Sequence, residues 1–587
     1  MDRTSLWERN NTLRNLFQSE IFLTLPDWKR RCFILRVRPR KGEIFPGYVY
    51  KDLQKLSFPA SCFLPVETME KMEKMEKTGE RTKEYERIDF LPDLTGIYGR
   101  KWKNISEIKK VFETREKRSC RGVFLPAFPD ENERNILKKH AFLYSVSDKQ
   151  TGSSNAEADP FCRKNCSIND SFDEAMAEHF CKSDPYGGIF GCFSLLLDEN
   201  LTEKMWKEKI LPLLERFREA GIACMSEEEL REYEQALKNL RTSVDSSMAE
   251  NVSSKNLYLI ANGKPVMLAP GEKLFIRKKS PEKITHPNHP YSEEDWIFEV
   301  KSREKTVLAE REAAYFPDGT LFFPGGCRKA LSFSYDDGNV KDKELIRVLN
   351  KYGMKGTFNL NSNGVLDAMK YFGEEWDIKN YDGHEVAGHG LYHHSFTAFA
   401  PSHVATCLYM DRLILESFTG EILCGHAYAN GTYSGSVPYA KELLGANRYI
   451  YARGSASTMG FDLPEDFFVW EQTCHHNKGI LALADKFLQE SEMEDLKVFA
   501  VWGHVAELVK DNAFGMMDEF CCKLSGKEKY IWYATNKEIC EYVLAVRSLL
   551  WAEDRSFVKN CSCITLLMAD KGKLHLLAPG ETFHFQK

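Results

Sequence analysis

Apolar residues fall into short runs along this chain, and the polar stretches between them carry helical spacing. LSFSY (331–335) is followed by KDKELIRVLNKYG, which reads as a helix, and then by the strand-like KGTFNL. KVFAVWGH (497–504) precedes another helical stretch, and YIWYAT (530–535) precedes a further one. Alternation of this kind predicts a mainly parallel sheet, open or closed as a barrel. MEKMEKMEK (69–77) predicts a solvated helix or loop insertion, with no function attached.

The pattern repeats. LYLIANGKPVMLAPGEKLFI (257–276) and LLMADKGKLHLLAPGETFHF (566–585) share G-K-x-x-x-LAPGE at an offset of 309, and each predicts a β-hairpin around a Gly-Lys turn. At the same offset IACMSEEELREY from Ile222 faces IWYATNKEICEY from Ile531, and IFGCFSLLL from Ile189 faces VFAVWGHVA from Val498. Nearer the N-terminus the offset drifts, with CFILRVRPRKG from Cys32 opposite ALSFSYDDGNV from Ala330. Two copies of one domain, about 1–280 and 281–587, are expected.

Composition sets limits on this picture. A chain of 587 residues, 43% hydrophobic and 28% charged, suits two to four domains. A net charge of −6 argues against nucleic acid or an anionic membrane surface as the main partner. The N-terminal MDRTSLWERNNTLRNLF has no signal-peptide apolar stretch, and no run of about 18 apolar residues occurs, so no membrane-spanning helix is expected. Seventeen scattered cysteines read as reduced thiols of a cytoplasmic protein. The pairs Cys162/Cys166, Cys521/Cys522 and Cys561/Cys563 lack the doubled C-x-x-C spacing of a structural zinc site.

The ionisable residues separate the two copies. Of 15 histidines, nine lie between His384 and His504, while the first copy has only His140 and His179. Asp336-Asp337-Gly338 follows an apolar run, the usual place for site residues at the C-terminal end of a parallel strand, though it is also good turn chemistry. His389 and His393 are four apart and would share a face on a helical turn, able to hold one metal, with His394 pointing elsewhere. His504 ends the strand-like FAVWGH. Each histidine taken singly is as readily a hydrogen-bonded structural residue. A Cys474–His nucleophile beside His475 and His476 is disfavoured, because adjacent side chains rarely face each other.

In order, SYDDG, HGLYH and VWGH resemble the motifs of the polysaccharide deacetylase family, also called the NodB-homology domain or carbohydrate esterase family four. The resemblance covers roughly 325–545. It implies a distorted (β/α) barrel, so that with the internal duplication the expected fold is α/β, tandem barrels of this type, each followed by a small β-hairpin segment. It also implies one divalent metal, zinc first, with cobalt, manganese or nickel as alternatives. Carried over residue by residue, Asp336 would be the general base, Asp337, His389 and His393 the metal ligands, and His504 the general acid. The family's third motif, commonly R-P-P-Y-G, stands here as Ala427-Tyr428-Ala429-Asn430-Gly431, without its arginine, for which Arg453 is the candidate replacement. Asn430, Arg453, Trp502 and His475 are the candidate substrate or oxyanion contacts.

The expected organisation is a degenerate, non-catalytic domain at 1–250, a hairpin segment at 251–280, a linker and lead-in strand at 281–324, the catalytic domain at 325–560 and a second hairpin at 561–587. Arg38 and Pro39 lie opposite Asp336 and Asp337, and Leu195 opposite His504, so the first copy lacks the machinery. The expected reaction is hydrolysis of a non-peptide C–N bond, with an N-acylated sugar or small amide as substrate. The rival expectation is a metal-retaining carbohydrate-binding or scaffold protein without turnover.

Overall fold

The computed structural model describes residues 21–40, 43–77, 87–94, 105–126, 129–142, 144–147, 162–164, 166–167, 191–278, 296–303, 316–366, 377–431 and 439–585. The C-terminal half is built on the strand Lys329–Asp336, buried along its whole length. Lys497–His504 pairs along one side of it, in register from Lys329↔Lys497 to Asp336↔His504. On the other side, Thr357–Leu360 pairs with its C-terminal end and Ile531–Tyr533 with its start. Glu385–Gly388, Gly425–Ala427, Tyr451–Ser457 and Trp470–Gln472 continue outward, all parallel. The chain then passes directly from Trp470–Gln472 to Cys474–His475, which pairs with Lys497–His504 and nearly closes the sheet into a barrel. Helices cover the outside, as short parallel strands buried on both faces require.

The N-terminal half has the same strand order, centred on Arg31–Val37 and nearly closed through Cys162–Lys164 and Cys166–Ser167. Each barrel is followed by small antiparallel sheets, and both LAPGE segments form hairpins. The tight turns are Asn262-Gly263 and Lys571-Gly572, all four residues at positive φ, rather than the Gly-Lys pairs. Each hairpin takes a third strand that its own sequence does not announce, Ile21–Thr24 in one case and Leu321–Phe322 in the other.

Two expectations need correcting. The MEK repeat lies in the helix Val66–Lys77, but Met69 and Met72 are buried in the first barrel's core, so one face of it is structural. The match of Ile189 to Val498 is three residues out of register. Cys32 pairs with Cys192 and Ala330 with Val498, so Cys192 is the counterpart of Val498, and Asp198, not Leu195, stands where His504 stands. A low-identity match between two apolar strands slides easily, because apolar positions are interchangeable by packing alone.

The halves meet through matching surfaces. Ser253 and Ser562 occupy equivalent positions, hold equivalent hydrogen bonds to Asn251 and Asn560, and form an antiparallel bridge with each other. A residue paired antiparallel with its own counterpart lies on a local twofold axis. Around it the contacts are reciprocal: Val244 N–H donates to Glu416 Oε2 at 2.8 Å, and Glu553 N–H donates to Glu113 Oε2 at 2.9 Å. Buried Glu541 accepts from Arg241 and Arg303, which hold its carboxyl far below the usual carboxylate range against the opposing effect of burial. Replacing Glu541 by alanine leaves two cations facing a buried gap. The expected loss is at the lower end of the ~3–5 kcal/mol for breaking a buried pair, since Arg303 is partly exposed. A lowered urea midpoint at unchanged slope is the readout.

Candidate functional site

The strand Lys329–Asp336 delivers Asp336 at its C-terminal end, and the chain leaves through Asp337 (φ 77°) and Gly338 (φ 67°). Aspartate is among the residues that tolerate this left-handed turn. Its effect is to split the two carboxylates. Asp336 is buried, while the Asp337 side chain is about half exposed at 46%. Asp336 Oδ1 pairs with Arg453 Nη2 and accepts from Asn359 Nδ2 at 2.9 Å. Burial opposes ionisation of Asp336, but the guanidinium of Arg453 outweighs it and holds the carboxyl below its usual range. Oδ2 faces Nε2 of His389 and Nε2 of His504, each at 3.9 Å.

His389 follows the strand Glu385–Gly388 and is buried. Its Nδ1 lies 2.9 Å from the carbonyl of Ala427, so Nδ1 carries the proton and donates, and Nε2 presents a lone pair. That Nε2 is buried without a hydrogen-bond partner among the described residues, 3.6 Å from Asp337 Oδ1. Burial lowers the basicity of His389 and keeps the lone pair available. His393 Nε2 is also 3.6 Å from Asp337 Oδ1. The two histidines do not lie on a helical turn, as their spacing suggested. They sit on an irregular loop with Gly390 at φ 86° and His393 at φ 57°, which brings the rings to 4.7 Å.

Ligands at about 2.1 Å from a tetrahedral ion are about 3.4 Å apart, so these separations suit a divalent cation held by one carboxylate and two imidazoles. The orphaned His389 Nε2 is the specific sign that the donor set fits. The loop is held from behind by Asp411, which accepts from the backbone N–H of Ser362 (3.2 Å) and Gly390 (3.1 Å) and whose carboxyl burial pushes up to about 7. Asp411 belongs to the helix Pro401–Thr419, which further along carries Glu416 to the contact with the N-terminal half.

The remaining candidates are distributed around this point. Arg453 lies with its guanidinium 5.1 Å from the Trp502 ring and its Nε 3.1 Å from Ser334 Oγ. His504 Nε2 is 3.9 Å from Asp337 Oδ2. Asn430 (φ 56°) donates from Nδ2 to the His393 carbonyl at 3.1 Å. His475 sits beside Trp502 and His504 rather than at the Asp337 cluster. Burial pushes the Cys474 thiol up to about 12, which removes it as a nucleophile. Asn359, Asp411 and Glu507 were missed. Asn359 left a trace, a polar residue amid the apolar strand run TFNL; Asp411 lies mid-helix and left none.

The same positions in the first barrel are filled differently. Arg38, Asp93, Val146 and Asp198 stand where Asp336, His389, Arg453 and His504 stand, by strand register. Arg38 Nε donates to Asp93 Oδ2 at 2.7 Å, so an ordinary ion pair occupies the counterpart of the cation cluster.

Beneath the site His426 is buried among Phe396, Tyr428 and Tyr449, with neither ring nitrogen bonded, and burial holds it down at about 3. Its unfolded value is near 6.5. A depressed pKa gives stability that is complete above about pH 6.5 and lost as pH falls toward about 3. The variant H426F escapes this loss. Its stability relative to wild type is expected to rise by up to about 1.4 kcal/mol per pH unit below about 6.5, read from denaturation at pH 7, 6 and 5.

Residues 325–449 match the family model described as polysaccharide deacetylase, so the chain carries a polysaccharide deacetylase domain, that of a hydrolase acting on C–N bonds. No curated protein sequence matches the chain. Among solved structures it is similar to the peptidoglycan deacetylase PdaC from Bacillus subtilis, at 18% identity and a TM-score of 0.26, covering 37% of this chain and 93% of that one. It is similar to a family 4 carbohydrate esterase from Streptomyces lividans in complex with acetate, at 12% identity and a TM-score of 0.25, covering 34% and 90%. It is also similar to a mutant CE4 family pseudoenzyme with restored enzymatic activity, at 13% identity and a TM-score of 0.26, covering 43% and 79%.

Proposed function

We propose that the second barrel removes an acyl group from the nitrogen of an amino sugar or related amide, using one divalent cation, zinc by preference, held by Asp337, His389 and His393. One observation carries this reading. Arg453 and Asn359 occupy Asp336 Oδ1, while Oδ2 is left facing the point on which His389 and His504 converge. When bound, the cation polarises the amide carbonyl and lowers the pKa of water. Asp336 Oδ2 accepts the proton of the attacking water, with Arg453 fixing the orientation of the carboxylate. The backbone N–H of Asn430 donates to the developing oxyanion. His504 Nε2 gives its proton to the departing amine, which is a poor leaving group without it. Arg453 supplies the role of the arginine absent from the third motif.

We further infer that the two halves are copies of one domain, and that the first is a non-catalytic partner. The reciprocal contacts about Ser253 and Ser562 support the copying, and the Arg38–Asp93 pair supports the loss of cation binding. The first half supports the helix Pro401–Thr419, whose Asp411 holds the loop of His389 and His393.

The test is release of acetate and free amine, in equal amounts, from N-acetylated mono- and oligosaccharides by zinc-loaded protein. Release that stops on chelation and returns with zinc supports the proposal. Bound zinc with no release from any N-acyl sugar or small amide sinks it.

A further inference from the structure

Beside the cation cluster, on the far side of the His504 ring, lies a second group of donors. His475 ends the short strand Cys474–His475, His504 ends Lys497–His504, and Glu507 lies on the helix Val505–Lys510 that follows. Glu507 Oε2 is 2.9 Å from His475 Nε2 and 3.4 Å from His476 Nε2, and Glu507 Oε1 is 3.3 Å from His504 Nδ1. One ligand atom from each of His475, His504 and Glu507 falls within 4.8 Å of the others.

His475 and Glu507 lie close enough to share a proton, but the ring nitrogens and the carboxylate are poorly aligned for it. Glu507 Oε2, His504 Nδ1 and both ring nitrogens of His476 are buried and have no hydrogen-bond partner of good geometry among the described residues. Buried polar atoms are normally paired, so three orphans in one cluster, Glu507 Oε2, His504 Nδ1 and His476 Nε2, at contact distance yet misaligned for N–H donation, call for another occupant, while His476 Nδ1 faces Gly503. Atoms aimed at a shared third point have this geometry. The His476 ring is fully buried, stacked on Tyr335 at 5.7 Å with an interplanar angle of 8°, and Gly503 lies against it so closely that a Cβ there would come within 1.9 Å of Nδ1. Its orientation is therefore built in by packing.

We propose that His475, His504 and Glu507, with His476 as a fourth donor, form a second divalent-cation site that shares the His504 ring with the first. Imidazole-rich donors with one carboxylate select zinc or a neighbouring transition metal over magnesium or calcium. Nδ1 of His504 serves the second site, while Nε2 stays 3.9 Å from Asp336 Oδ2 and Asp337 Oδ2. The rival arrangement is a hydrogen-bonded hub, in which Asn477 N–H donates to His475 Nδ1 at 3.3 Å and His475 Nε2–H turns toward Glu507. Cation binding at Nε2 moves the His475 proton to Nδ1 and breaks the contact with Asn477. Taken with the proposed reaction, on which this consequence rests, an ion on Nδ1 prevents His504 from carrying a second proton, so the site is inhibitory.

Metal-free full-length protein is titrated with zinc by calorimetry, and bound metal is counted after gel filtration. Wild type is expected to hold two equivalents. E507Q and H475N are each expected to hold one, with the folded state checked by circular dichroism, and H389A should lose the other equivalent. Excess zinc is expected to suppress wild-type turnover at least tenfold beyond the first equivalent, and to suppress turnover of E507Q less than twofold relative to that variant's own maximum. One equivalent in wild type, or two retained in both E507Q and H475N, overturns the proposal and leaves the hub. Two equivalents without turnover leave the second site standing and sink the proposed reaction, while one equivalent with turnover does the reverse.

Discussion

Replacing His389 by alanine is expected to remove tight metal binding at the first site and to reduce turnover to background. The ring is buried, its Nδ1 is committed to the Ala427 carbonyl, and its Nε2 has no hydrogen-bond partner among the described residues. Loss of an outer partner that orients a metal ligand typically costs about 10–100-fold in affinity, and loss of the ligand itself costs more. Fold stability is expected to fall moderately, because alanine removes the buried ring's packing and its hydrogen bond to the Ala427 carbonyl, offset only in part by deleting an unsatisfied nitrogen. Calorimetric zinc affinity and the turnover rate, measured on the same sample, are the check; a folded variant retaining both is incompatible with the assignment.

Substituting Asp336 by asparagine is expected to separate metal binding from chemistry. Zinc affinity at the first site should remain near wild type, because Asp337, His389 and His393 are untouched. Turnover should fall by about 10²–10⁴-fold, the usual contribution of a general base. The amide keeps an oxygen for Arg453 and Asn359 but cannot take a proton from water. The loss of charge leaves the Arg453 guanidinium buried without its counter-ion, so a stability loss approaching the ~3–5 kcal/mol of a broken buried pair accompanies it. Activity must therefore be measured where both proteins are folded, and a reduced rate that recovers with added osmolyte would point to stability instead of base catalysis.

Much of this was legible from pattern alone. The runs LSFSY and KVFAVWGH are strands because both faces are buried, and short runs rich in apolar residues with only small polar interruptions, set between helical stretches, announce that. Asp336 and His504 were legible through the order of SYDDG, HGLYH and VWGH, since each taken alone is ordinary turn or structural chemistry. The loop of His389 and His393 was legible only as spacing. Four residues suggest a helical turn, and the actual convergence depends on Gly390 and His393 at positive φ, which spacing does not encode.

What escaped were partners distant in sequence. Asp411 reaches Gly390 from the middle of a long helix, and Glu416 receives Val244 across the two halves. Nothing local marks either residue, since a buried carboxylate on a helix is written like an exposed one. Glu507 was hidden for the same reason, three residues beyond His504 on a half-exposed helix. Asp198 replaced Leu195 as the counterpart of His504 because the backbone register of the strands, rather than side-chain identity, decides the match. Arg453 is the reverse case. Distant from the third motif in sequence, it was identifiable only as a candidate, and its pairing with Asp336 depends on neighbouring strand ends lying side by side in the barrel.

The central claim is that Asp337, His389 and His393 form a hydrolytic metal centre in the second barrel. X-ray absorption at the zinc edge of protein loaded with one equivalent of zinc tests it most directly. In the E507Q background, which removes the second site, two imidazoles are expected at about 2.0–2.1 Å with the remaining ligands oxygen, and no tightly held zinc once His389 is also replaced by alanine. A first equivalent bound through cysteine sulfur, or an imidazole signal in the E507Q background that H389A leaves unchanged, would contradict it.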